Sequence, residues 1–335
     1  MRLAISASSC INPGIFSQAG STETPPGGDF QVQTVDYKEH IEARQLRRLS
    51  KVAKMGIYSA KDCLAKTKKQ VAESLIVATS TGGFSALDNF ISRMIEKQEQ
   101  NLSPVYFLQS LLSDVTGQIV LSLGIEGYTT TYTNRGGAFE SSLLDAQILL
   151  EEQPDQTVLV GGADELPISY SDIIRHSGFL DTESQQDEPS EVRLGENAIF
   201  FALNKEVAKG DVLITDCQSY LGLGPTQAQE KLEAFLEANE GATPDLVFSG
   251  FYNEEQFSTY FPGLGAKKNV VLFKQYCGEF PTSTAFGVWL AEQVLRGEIS
   301  PEALELPKTL HPQRILIINQ FRASNFSFTL LSTNQ

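Results

Sequence analysis

TNRGGAFESSLLDAQILLEEQPDQTVLVGGADE, residues 133–165, reads as the close of a strand, a long helix and a second strand. Thr and Tyr fill 129–133 and suit a pleated surface. Leu and Ala then dominate from Phe139 to about Glu151, which predicts a helix. The run 157–160 is short and apolar and stops at Gly161 and Gly162, as a buried strand does where it enters a turn.

The same alternation extends outward. Residues 75–79 (LIVAT) are a short apolar run followed by a glycine pair. Leu46, Leu49, Val52, Ala53, Ile57, Ala60 and Leu64 recur at three- and four-residue spacing, predicting a helix with Arg47, Arg48, Lys51 and Lys54 on its basic face. Residues 11–36, with PPGG at 25–28, and the acidic segment 181–191 read as loops. Downstream, strands are expected at 198–203, 212–215, 245–248, 270–273, 315–318 and 326–331, and helices at 226–238 and 283–296. A strand and helix series that occurs twice, closing each time on two strands, predicts a duplicated, layered α/β fold with halves at 1–208 and 209–335.

Composition narrows the function. A formal net charge of −15 opposes contact with a phosphate backbone, so nucleic acid is not an expected partner. The chain has no run of 18 apolar residues and its start lacks a secretory pattern, which predicts a cytoplasmic protein without a membrane span. Cys10, Cys63, Cys217 and Cys277 are scattered without CxxC spacing and read as free thiols. His40, His176 and His311 each stand alone and read as structural. The turns at 81–83 (TGG) and 222–226 (GLGPT) lack the full phosphate-loop pattern.

The 133–165 stretch resembles the nucleophile region of β-ketoacyl synthases, where a strand delivers Cys-x-x-Gly into a long helix and a later strand ends in Gly-Gly-x-Glu. Gly137 takes the motif glycine, and Gly161 with Gly162 the later pair. LGENA at 194–198 resembles the family's Gly-Glu-x-Ala turn, VFSGF at 247–251 the segment of the first catalytic His, and KQYCGEF at 274–280 the Lys-x-x-x-Gly-His segment. INQFRASNFSFTL at 318–330 resembles the closing hairpin. The segments from the N-terminus through QLRRLSKVAKMG are also similar to synthase-like proteins of aryl-polyene and flexirubin-type pigment pathways. The resemblance implies a thiolase-like fold with duplicated αβαβα layers and no cofactor.

The departures fall on the chemistry. Where the family has its nucleophilic Cys, this chain has Asn134, an amide that forms no acyl-enzyme. The two family histidines, which stabilise a developing enolate, are matched by Ser249 and Glu279. The family lysine is kept as Lys274, and an ion pair with Glu279 is expected. The closing turn Phe321-Arg322-Ala323-Ser324-Asn325 lacks the family's glycines, so a positive-φ path is not expected there.

A non-catalytic, chain-length-factor-like subunit follows, paired with a catalytic ketosynthase as a heterodimer or with itself. By the resemblance, the strand before the nucleophile position pairs across the two-fold axis; here that is Gly127, Tyr128, Thr129, Thr130, Thr131, Tyr132 and Thr133. An ordinary central strand is the plain alternative. Tyr106, Phe107 and Leu111, from the helix before that strand, and Phe139 are candidates to line or block an acyl tunnel, or are plain core. A second possibility is acyl transfer or condensation by unfamiliar residues, Ser249, Glu279 or Cys277. A third is a binding module for an acyl chain or an acidic acyl carrier protein, using Arg47, Arg48, Lys51 and Lys54 with Lys66, Lys68 and Lys69 beyond.

Overall fold

A computed structural model describes residues 2–13, 28–32, 35–177, 192–241, 243–265, 269–322 and 324–334. Most of the loops expected at 11–36 and 181–191, and Ala323 of the closing turn, lie outside the described residues.

The first half contains β1 (Leu3–Ile11), α1 (Ala43–Leu46), α2 (Lys51–Ala65), β2 (Ser74–Ala78), α3 (Phe84–Glu96), α4 (Pro104–Gln109), α5 (Asp114–Leu123), β3 (Thr129–Tyr132), α6 (Ala138–Glu152), β4 (Val158–Asp164), α7 (Ile168–His176) and β5 (Asn197–Asn204). The second contains β6 (Val212–Tyr220), α8 (Pro225–Ala238), β7 (Leu246–Ser249), α9 (Glu254–Tyr260), α10 (Pro262–Gly265), β8 (Val270–Leu272), α11 (Lys274–Cys277), α12 (Ser283–Arg296), β9 (Arg314–Phe321) and β10 (Asn325–Thr333).

The strands form one ten-stranded sheet in the order β3-β2-β4-β5-β1-β6-β10-β9-β7-β8. Read outward from its centre, each half repeats one arrangement: β2 is parallel to β3 and β4, as β7 is to β8 and β9, and the remaining pairs are antiparallel. The halves join where residues 3–5 of β1 pair with residues 212–214 of β6. Helices α2 and α5 cover the outer face of the first half. Helices α6 and α12 lie between the halves, and α8 and α9 cover the outer face of the second. This is the thiolase-like αβαβα layering.

Local chemistry explains the elements. Ser50 caps α2, its Oγ accepting the Ala53 N–H at 3.3 Å. Gly124 and Gly297, at φ 68° and 77°, end α5 and α12 in the left-handed conformation that glycine adopts most readily. Helix α12 is buried almost all round, from Ser283 to Val294, as a helix between the two halves of the sheet must be.

Strand β1 is the longest strand that periodicity did not reveal. Its period-two pattern is interrupted by Ser6, Ser8 and Ser9 and by a bulge between Ile5 and Ala7, yet it is a central strand paired with β5 and β6. Two of the serines are satisfied internally: Ser8 Oγ donates to the buried Glu292 and Ser6 Oγ to Asn204. Strand β3, by contrast, is an edge strand and not a central one.

Candidate functional site

The site is assembled where three chain segments end. Strand β3 runs into a single 3₁₀ turn, Arg135–Gly137, preceded by Asn134, and that turn leads directly into α6. Asn134 is exposed, and its Nδ2 donates to Ser141 Oγ at 3.1 Å. Arg135 is left-handed at φ 56°, a conformation unusual for a residue with a side chain. A Cβ on Gly136 would collide with the Phe321 ring, so the closing hairpin rests directly on the nucleophile-equivalent loop.

Strand β7 ends at Ser249, which is fully buried and accepts the Phe251 N–H at 3.3 Å. Glu279 follows α11. Its Oε2 accepts Lys274 Nζ at 2.6 Å and the Tyr252 hydroxyl at 2.7 Å, and Lys274 also donates to the Gln320 carbonyl at 2.6 Å. The ion pair expected of Lys274 and Glu279 is therefore present and almost completely buried. Burial, reinforced by the Glu279 carboxylate, pushes the Tyr252 phenol well above its usual range, so it remains a donor. The Gly195 N–H donates to the Glu279 carbonyl at 2.9 Å, which ties the 194–198 turn to this segment.

A narrow pocket lies beside these groups. Its walls include Thr81, Asp164, Glu165, Tyr170, Gly195, Glu279 and Phe321, but neither Asn134 nor Ser249. Asp164 is saturated with donors: its Oδ1 accepts from Thr79, Ser80 and Thr81, and its Oδ2 from the N–H and hydroxyl of Thr282. Glu165 and Glu279 each have one oxygen without a hydrogen-bond partner among the described residues. Burial raises the Glu165 carboxyl above its usual range and the Tyr170 phenol to about 12. Walls rich in carboxyl groups disfavour a malonyl carboxylate or a developing enolate.

Asp164 and Glu165 were legible as the acids closing the 133–165 stretch. Tyr252 and Tyr170 carried no signal in the sequence, because their roles depend on packing between distant segments. Cys277 is completely buried, its Sγ pointing to the carbonyls of Phe273 and Gly278, and burial raises its thiol far above the thiolate range.

Residues 23–184 match the family model for the β-ketoacyl synthase N-terminal domain. That match spans 162 of the 335 residues and makes this part of the chain similar to the β-ketoacyl synthase N-terminal domain. No curated protein sequence matches it. Among solved structures it is similar to the type II PKS acyl-carrier protein and ketosynthase complex AntDE:AntF, bound to the hexaketide, at 15% identity and TM-score 0.79, covering 99% of both chains. It is also similar to the ishigamide ketosynthase/chain length factor, at 13% identity and TM-score 0.77, covering 100% of this chain and 99% of the other. A third is the ketosynthase ApeO with its chain length factor ApeC from Xenorhabdus doucetiae, at 15% identity and TM-score 0.71, covering 99% and 98%. At such identities these likenesses establish the fold.

Against that fold, two expectations from the sequence need correction. Tyr106 and Phe107 lie on α4 and Leu111 just after it, whereas the helix preceding β3 is α5. Phe107 packs on Phe90 and is half exposed, while Phe139 is fully buried against Phe201 in the middle layer, so the four tunnel candidates do not form one group. The basic helix face also dissolves. Arg47 and Arg48 sit in the turn before α2, which starts only at Lys51, and Lys51 pairs with the buried Glu196. Lys66 pairs with Asp62.

The closing turn departs from expectation too, since Arg322 adopts φ 57° without being glycine. Such strain persists where surrounding contacts impose it; here the adjacent Phe321 is held against Gly136. His40 stacks edge-on to Tyr58, and His176 Nδ1 stands 2.7 Å from the Asp172 carbonyl; neither lines the pocket.

Glu140, in the first turn of α6, accepts the Thr284 hydroxyl at 2.6 Å in the middle layer. Burial raises its carboxyl above the ordinary 4.5. The folded state therefore holds a proton that the unfolded chain releases, and stability falls as pH rises from about that value. Glu140→Gln is expected to gain melting temperature relative to the unmodified protein as pH rises from 5 to 8, with the gap closing toward the acid end (pH values on the order of the unfolded carboxylate range and above). Parallel thermal melts across that range check it, and a constant difference would refute it.

Proposed function

We propose that this chain is a cytoplasmic, non-catalytic, chain-length-factor-like subunit, built of halves at 1–208 and 209–335, that pairs with an active ketosynthase in carrier-bound chain elongation of the aryl-polyene or flexirubin type. The reading rests on one observation above all: the position matched to the second catalytic imidazole is Glu279, locked by Lys274 and Tyr252. A carboxylate held by an ammonium and a phenol has no proton acceptor role left on that oxygen. An exposed amide at Asn134 and a buried hydroxyl at Ser249 complete a set that cannot form a thioester.

Support for a partner comes from β3. It is one of the two edges of the sheet, and Leu121 on α5 and Ile148 on α6 stand exposed on opposite faces beside it. A short β-branched edge with apolar flanks still offers unpaired backbone groups to another strand. Among the described residues no helix is long and apolar enough to cross a membrane.

Acyl transfer by Cys277 is disfavoured by its buried, protonated thiol. Incubation with a radiolabelled acyl carrier protein thioester, followed by denaturation, is expected to leave no covalent label on this chain. Label retained on it would refute the non-catalytic reading, as would unaided two-carbon extension of a carrier-bound chain.

A second reading, docking of an acidic carrier protein, retains one feature in its favour. Arg47 and Arg48 are exposed, and Gln109 Nε2 ties the Arg48 carbonyl to α4 at 2.6 Å, beside exposed Phe107 and Leu108. Charge reversal of both arginines is expected to weaken carrier binding at least about tenfold at low salt, read by titration of labelled carrier protein; unchanged binding would remove the patch.

A further inference from the structure

The narrow pocket beside Glu279 presents a one-sided hydrogen-bonding surface. Thr81 Oγ1 is spent, donating to Asp164 and accepting the Glu165 N–H at 3.1 Å. Glu165 Oε1 accepts the Ser85 N–H at 2.6 Å, and Glu279 Oε2 is taken by Lys274 and Tyr252. Two wall atoms stay without a partner among the described residues, Glu165 Oε2 and Glu279 Oε1, on residues only 1% and 4% exposed. An ionised carboxyl oxygen only accepts, and a buried acceptor is costly until a donor reaches it. Among the described wall residues Tyr170 is the one that is not fully buried, so solvent reaches the pocket past its ring.

The charges have the same bias. Asp164, Glu165 and Glu279 share the wall; of the nearby cations, Lys274 serves Glu279 and Lys51 is held by Glu196. Arg135 and Arg322, on the two loops that meet at Gly136 and Phe321, act on Tyr170 from its exposed side, and burial keeps that phenol protonated. A water can donate to both open oxygens, but it leaves the Glu165 charge uncompensated in a dry wall. We infer that the pocket receives the ammonium group of a small primary amine, which donates to Glu165 Oε2 and Glu279 Oε1 and lays its apolar stem along Ile174, Leu194, Phe280 and Phe321. An ammonium brings donors and charge together in one group about the size of a water molecule, which suits so narrow a site. The pocket holds it whether or not a ketosynthase pairs with the chain.

Titration calorimetry of the unmodified protein with n-butylamine hydrochloride, n-butanol and KCl, at constant ionic strength, tests the site. Butylamine stays protonated below about pH 10 and is expected to bind with a dissociation constant of about 1 mM. Butanol lacks the charge and K⁺ lacks the donors, so each is expected to bind at least about tenfold more weakly. Burial raises the Glu165 carboxyl above its ordinary 4.5, and Glu196 adds to this, while Ser85 and Lys51 oppose it. A proton on Glu165 competes with the amine. Affinity is therefore expected to climb as pH rises from 4.5, by at most about tenfold per unit, and to level off once Glu165 is ionised. Glu165→Gln replaces the open acceptor with a donor and is expected to cut butylamine binding at least about tenfold and to flatten that profile. The ligand and pH comparisons need no variant, so they decide even where Glu165→Gln fails to fold. Butanol bound as tightly as butylamine overturns the inference, and K⁺ bound as tightly reduces the pocket to a plain cation site and overturns it too. So does the absence of any heat of binding at about 20 mM butylamine, which leaves a bound water only.

Discussion

Replacing Lys274 with Met is expected to destabilise the fold by about 3–5 kcal/mol, the usual consequence of leaving one member of a buried ion pair without its counter-charge. Lys274 and Glu279 are 2.6 Å apart and both almost entirely buried, so water cannot solvate the carboxylate that remains. The loss extends beyond the pair, because Lys274 also satisfies the Gln320 carbonyl at the end of β9. That bond anchors the strand leading into Phe321, which in turn packs on Gly136. A fall in melting temperature of roughly 5 °C is the corresponding readout for a chain of this length. Adding Glu279→Gln to Lys274→Met is expected to restore most of the loss, since a neutral amide keeps a partner in Tyr252 and carries no charge to bury. A single-variant cost below about 1 kcal/mol would mean that the pair is solvated in solution and the site open.

Replacing Thr131 with Pro is expected to weaken binding of the proposed ketosynthase partner by roughly 100-fold, or about 2.7 kcal/mol, while the fold survives. Leu75 N donates to the Tyr128 carbonyl at 2.9 Å and Thr79 N to the Tyr132 carbonyl at 3.0 Å, so alternate residues of β3 face β2. By that alternation the amide and carbonyl of Thr129 and Thr131 face away from the sheet. Proline at Thr131 deletes an outward donor without breaking the β2 ladder, a substitution that edge strands tolerate. The Thr131 to Thr116 hydroxyl bond of 2.7 Å is lost as well, at about 1 kcal/mol of stability. Thr131→Val separates the two effects, since it loses the hydroxyl, keeps the N–H, and is expected to bind the partner normally. Equal affinity of the Pro and Val variants in a titration would place the subunit contact elsewhere.

Much of the fold was legible because its signals are local. The expected helix at 283–296 coincides with α12, and the apolar run at 75–79 with β2, because a buried strand or helix needs only its own residues to announce itself. Strand β1 hid because its serines are matched by Glu292 and Asn204, some two to three hundred positions away. The basic face expected around Lys51 failed for a similar reason: a lysine on a helical wheel is solvent-facing unless a carboxylate such as Glu196 approaches from elsewhere. Helices α3 and α4 went unread since almost nothing on them is buried within this chain.

At the site, residue identities alone determined that no sulfur nucleophile stands at Asn134 and no imidazole at Ser249 or Glu279, because chemical competence belongs to the side chain wherever it is placed. Lys274 and Glu279 lie on one short segment, so their pairing too was within reach of sequence. Tertiary structure alone decided that Tyr252 shares the Glu279 oxygen, that Phe321 covers Gly136, and that β3 is an edge. Each of these depends on which distant segments pack together, and that is settled by the summed burial and hydrogen bonding of the whole chain rather than by any periodicity within one stretch.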